Sequence, residues 1–115
     1  DGPWAFVVPA IVNTYYLRWW WPEDEKPGAN PIPDSPLPWT GDYRDGFDNK
    51  ITMVAYANPD DYVKLGNKAK FADGYGLIRF NKAASEVTFE CWPRFTDVTK
   101  PDAQQFPGWP VTVKP

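Results

Sequence analysis

No histidine occurs among the 115 residues of this chain, and cysteine and methionine occur once each. Imidazole is the side chain that most readily moves protons near neutral pH and the commonest transition-metal ligand. Its absence excludes Ser-His-Asp and Cys-His nucleophile systems, together with His-ligated zinc, copper and di-iron sites. One cysteine, Cys91, excludes an internal disulfide, and its neighbours Phe89 and Trp92 predict a buried strand thiol. A reactive thiolate there would need a nearby cation or base. No apolar run approaches the roughly 18 residues that cross a bilayer. Neither a basic leader nor an initiator methionine precedes the opening Asp-Gly-Pro-Trp, so a piece of a longer protein is expected. A net charge of −3 and a pI near 4.8 provide no electrostatic footprint for nucleic acid or an anionic membrane. Neither is expected as a partner.

What the chain has in excess is aromatic and proline residues: seven Trp, six Tyr, seven Phe and fourteen Pro. So much proline argues against a helix-rich fold, and so many rings argue against a disordered linker. One β-rich domain over residues 1–115 is expected. Trp4 to Val12 reads as a strand interrupted by Pro9, and Tyr15 to Trp21 as a second apolar segment. Residues 22–42, with six prolines between Pro22 and Pro38, read as a long ordered loop or polyproline-like arm. The main antiparallel sheet is expected over residues 50–115. Lys50 to Ala57 alternates, Asn58 to Asp61 is a turn, and Tyr62 to Phe71 has weak helical character. Gly74 to Phe80 and Glu86 to Trp92 form a β-hairpin around Asn81 to Ser85, with Pro110 to Lys114 as a closing strand. Arg79 would pair with Glu86 or Glu90, depending on register. The expected fold is all-β, a small antiparallel β-sandwich or partly open barrel with long proline-rich loops.

Two passages are more specific than propensity. They are Gly74-Tyr-Gly-Leu-Ile-Arg-Phe-Asn81 followed by Val87-Thr-Phe-Glu-Cys-Trp-Pro-Arg94, and Asp102-Ala-Gln-Gln-Phe-Pro-Gly-Trp-Pro110. Together with Asp1 to Trp4 and Pro9 to Asn13, they resemble the C-terminal region of bacterial alkaline phosphatase D-type metallophosphatases, over nearly the whole chain apart from residues 23–38. The resemblance implies an exported bacterial protein and a β-rich accessory region. It also implies that Trp4 to Val12 continues a calcineurin-like core as its last strand. That family's Asp, His and Asn metal ligands would lie upstream of Asp1, and none transfers to a residue here.

Candidate chemistry within the chain is sparse. Asp42, Asp45 and Asp48, with Asn49, lie in an oxygen-rich stretch that could hold calcium, although the spacing is not that of an EF-hand and Arg44 intrudes. An Asp-Gly turn is the simpler expectation. Asp60, Asp61 and Asp73 form a weaker candidate. Glu86 and Glu90, about 13 Å apart along one strand face, are too distant for a glycosidase pair and are expected to be solvated charges. Trp19, Trp20 and Trp21 either pack under the proline-rich arm or contribute to a ligand platform. The leading expectation is a non-catalytic accessory β-domain, with no cofactor and the upstream catalytic domain as partner. The rival is a carbohydrate-binding module in which Trp19, Trp21, Trp39 and Trp109 stack on a polysaccharide.

Overall fold

The computed structural model describes residues 2–8, 26–57 and 74–114. Within them the fold is all-β, with two antiparallel sheets and no helix. Strands β1 (Gly41–Arg44) and β2 (Lys50–Met53) form a hairpin, in register Tyr43 to Ile51 and Asp42 to Thr52. Ala29 adds one antiparallel bridge to Asp42 on the other side of β1. The second sheet has the order β3 (Gly74–Asn81), β4 (Glu86–Pro93), β5 (Val111–Val113). The hairpin and closing strand expected from alternation are thus present, with Arg79 opposite Thr88 and Phe89 opposite Val111.

Two expected strands differ. The ladder of β2 ends at Met53, and beyond it Tyr56 and Ala57 are both buried, which an alternating strand on a one-sided sheet would not allow. Residues 4–8 belong to no ladder and instead run as a strap across the β3–β4 face. Phe6 packs in tilted contact with Phe89 at 5.3 Å and Trp109 at 5.4 Å, while Trp4 lies 6.5 Å from Phe89. Gly76 makes room for this crossing: a Cβ there would sit 2.5 Å from the Phe6 ring. Side-chain packing holds the strap where backbone pairing does not. Residues 9–25 and 58–73, which include the Asn58 to Asp61 turn and the Tyr62 to Phe71 segment, lie outside the described residues.

Residues 26–40 are irregular, as their prolines require, and internally bonded. Ile32 N–H donates to Thr40 Oγ1 at 3.1 Å, Leu37 N–H to Ser35 Oγ at 3.2 Å, and Gly28 N–H to the Thr40 carbonyl at 3.1 Å. Thr40 is almost fully enclosed. This loop brings Leu37 against the turn Phe106-Pro-Gly-Trp109, in which Trp109 N–H donates to the Phe106 carbonyl at 3.2 Å. Gly108, at φ +83°, occupies the third turn position after Pro107, where a left-handed backbone is required. Among the described residues the apolar core consists of Leu37, Tyr56, Ala57, Cys91 and Val113.

Candidate functional site

Tyr56 organises the aromatic centre. Its ring stacks on Trp39 at 5.7 Å and 17°, and its hydroxyl accepts from Trp39 N–H at 3.2 Å. Its carbonyl accepts from Trp109 Nε1 at 3.3 Å. The structure therefore brings two of the four sequence-proposed tryptophans, Trp39 and Trp109, to one residue. Both are half-buried, and the polar atom of Trp109 is spent inward. Trp19 and Trp21 lie outside the described residues. Tyr56 itself was legible only as a strand residue, because its partners are 17 and 53 positions away along the chain.

The acidic stretch is used to build the β1–β2 hairpin. Asp42 Oδ1 accepts from Thr52 Oγ1 at 2.6 Å, and Oδ2 accepts from Asn30 Nδ2 at 3.0 Å and faces Lys50 Nζ at 3.1 Å. These donors, Thr52 foremost, hold its carboxyl down at about 2, against an ordinary 3.8. Asp45 Oδ1 accepts from Phe47 N–H and Asn49 N–H at 2.9 Å each, and Oδ2 from Asn49 Nδ2 at 3.1 Å, which lowers its pKa as well. Asp48 adopts φ +65°, and Arg44 reaches its carbonyl at 2.6 Å and its carboxylate at 3.6 Å. The three carboxylates are each engaged by different neighbours. No three His, Cys, Asp or Glu side chains among the described residues form a metal-holding group. With no imidazole in the chain, these residues do not fit the metal set that the family resemblance implies for a catalytic core. Asp60, Asp61 and Asp73 lie outside the described residues.

The glutamates of β4 correct a second expectation. Glu86 is partly covered and faces Lys114 Nζ at 3.6 Å. Glu90 is buried rather than solvated. Arg79 grips its carboxylate through Nε and through Nη2, the latter at 3.2 Å, and Trp92 Nε1 donates to it at 2.9 Å. The Arg79 bond is the main reason the Glu90 pKa falls, against the opposing effect of burial. Register resolves the sequence ambiguity: Glu90 faces Leu77, diagonal to Arg79, and so lies within reach of the guanidinium. Conversely, Ile78 and Phe80, on the face expected to be the dry one, are exposed. The strap covers that face only near Gly76 and Phe89.

Cys91 is buried as expected, and desolvation pushes its thiol up to about 11. A thiol so far from ionisation is a packing group and not a nucleophile. No family model, curated protein or solved structure matches this chain. Among the described residues nine large apolar side chains are exposed, while Asp42, Asp45, Glu90 and Tyr56 are bonded to neighbours within the fold.

Proposed function

We infer that this chain is a non-catalytic accessory β-domain of an exported bacterial metallophosphatase-like protein, and that its strap packs against the catalytic domain. The imbalance of apolar surface carries this reading. Five apolar side chains are buried among the described residues, whereas nine large ones are exposed. An apolar side chain left in water gains by being covered, and exposed apolar patches mark interaction sites. Val7, at 71% exposure, is the most exposed side chain of the strap and would be its contact, together with the open parts of Trp4 and Val8, whose other sides lie against Phe89 and Gly76. The resemblance of the hairpin and the Pro-Gly-Trp-Pro passage to the C-terminal region of alkaline phosphatase D-type enzymes supplies the kind of partner. Catalysis is assigned to that partner, since this chain has no imidazole and the carboxylates of Asp42, Asp45 and Glu90 are engaged in internal bonds.

The test is calorimetric titration of the chain into a calcineurin-like catalytic domain of that enzyme type, produced without its own C-terminal region. Saturable binding is expected, weakened roughly tenfold or more by Val7→Asp, a change at an exposed position. Absence of binding between two folded samples refutes the reading. One observation favours a second reading, a carbohydrate-binding module: Trp39 and Trp109 meet at Tyr56. Saturable quenching of tryptophan emission by a polysaccharide, lost in Trp39→Ala, would replace the accessory role with that one.

A further inference from the structure

The two edges of the three-stranded sheet are treated differently. On the β5 side, Val111–Val113 pairs with Val87 to Phe89, and the chain then closes the remainder of β4. Phe106 N–H donates to the Cys91 carbonyl at 3.0 Å, and Cys91 N–H donates to Gln105 Oε1 at 3.0 Å. On the β3 side, no described strand or bridge pairs with the outer edge. Free edges are ordinarily protected by proline, lysine, a bulge or a short strand. β3 is eight residues long, contains neither proline nor lysine, and pairs with β4 without a bulge. Its single charge, Arg79, is neutralised by Glu90. The exposure is concentrated in one half: Ile78 is 46% and Phe80 77% exposed, two positions apart on the same face.

We propose that β3 is a homodimerisation edge, along which two copies of this chain pair their β3 strands antiparallel about a two-fold axis at Arg79. The proposed contact is the β3 edge, whereas the accessory-domain reading places its contact on the strap. A two-fold axis normal to a sheet keeps the same face of both copies on one side, so only positions of equal parity come opposite each other. An axis at Ile78 would place Phe80 over Gly76 of the second copy, where Phe6 already occupies the space. An axis at Phe80 would set Ile78 against Lys82. The axis at Arg79 sets Ile78 of each copy opposite Phe80 of the other, twice, a favourable aromatic with β-branched cross-strand pair, and leaves opposite Gly76 only Lys82, which lies past the end of β3. The same axis brings the two Arg79 side chains together on the opposite face. Like charges opposite each other destabilise a ladder. Here each guanidinium carries its own Glu90 carboxylate, so the four groups sum to zero charge. The second copy thus meets an apolar pair on one face and a compensated pair on the other. The result is a continuous six-stranded sheet.

Sedimentation equilibrium of the full chain, combined with amide hydrogen exchange, tests this. The expected result is a concentration-dependent monomer–dimer equilibrium in which the outward amides of residues 78–81 gain protection as the dimer fills. Phe80→Lys, at an exposed position and with the fold checked by melting, should weaken the dimer roughly tenfold or more. Glu90→Gln should weaken it in a salt-dependent manner by unmasking the Arg79 repulsion, and Arg79→Ala added to Glu90→Gln should restore it. A strictly monomeric chain overturns the proposal. So does a dimer indifferent to Phe80→Lys, or one that leaves the β3 amides unprotected, which would place the contact on a face.

Discussion

Replacing Tyr56 by phenylalanine and by alanine separates its two contributions. Tyr56→Phe keeps the ring that stacks on Trp39 at 5.7 Å but removes the hydroxyl that accepts from Trp39 N–H. Loss of one part-buried hydrogen bond costs about 1 kcal/mol, rising to about 3 where the donor finds no substitute. Tyr56→Ala also removes a ring that is 95% enclosed, by its 5% exposure, from between the proline-rich loop and the Trp109 turn. Large aromatic truncations in cores cost about 3–5 kcal/mol. Against a typical reserve of about 5–15 kcal/mol, the first change leaves a folded protein and the second leaves a marginal one. For a chain of this size each kcal/mol moves Tm by about 4 °C. Urea titration followed by tryptophan emission reads both changes, and the slope m should remain constant. The coupling is checked by adding Trp39→Phe, which should cost less in the Tyr56→Ala background than alone. If Tyr56→Phe and Tyr56→Ala both stayed within about 0.5 kcal/mol of the parent, the range of an ordinary surface substitution, Tyr56 would not be the centre described.

Other outcomes follow from single contacts. Gly76→Val should expel Phe6 from the sheet face and cost about 1–3 kcal/mol in thermal denaturation, since a side chain there meets the ring at 2.5 Å. Cys91, buried with its thiol raised to about 11, should react with a disulfide reagent at pH 8 only after unfolding in urea, so rapid labelling of the native chain would contradict its burial. Because Asp42 ionises at about 2 when folded and near 3.8 otherwise, the unfolded chain binds more protons between those values. The stability it contributes is complete above the upper value and is lost as pH falls toward the lower. Asp42→Asn should flatten the urea midpoint across that window. Millimolar calcium should leave Tm unchanged, because Asp42, Asp45 and Asp48 are bonded to Thr52, Asn49 and Arg44 rather than to one another.

Much of the three-stranded sheet was legible because its determinants are local. Alternation over Gly74 to Phe80 and Glu86 to Trp92, with a short polar connection between, specifies a hairpin within nineteen consecutive residues. The Pro-Gly turn before Trp109 was read only as part of a resemblance, although its determinants are as local: Pro107 presets one backbone angle and Gly108 permits the other. The buried state of Cys91 followed from its apolar neighbours. β1 was not legible, since Gly41-Asp-Tyr-Arg has no periodicity of its own and becomes a strand only by pairing with Lys50–Met53 and Ala29. The strap was misread as a strand for the complementary reason. Its composition suits one, but its rings are satisfied by a sheet face and not by a ladder.

Sequence alone determined the absence of imidazole, the all-β class, and the position of the central hairpin. These depend on residue types and on contacts a few positions apart. Only the tertiary structure decided that Trp39 and Trp109 converge on Tyr56, that Glu90 is buried against Arg79, and that Ile78 and Phe80 face outward on an open edge. Register and the course of the strap set these outcomes. Both arise from long-range packing, in which moving a strand by one residue turns every side chain to the opposite face.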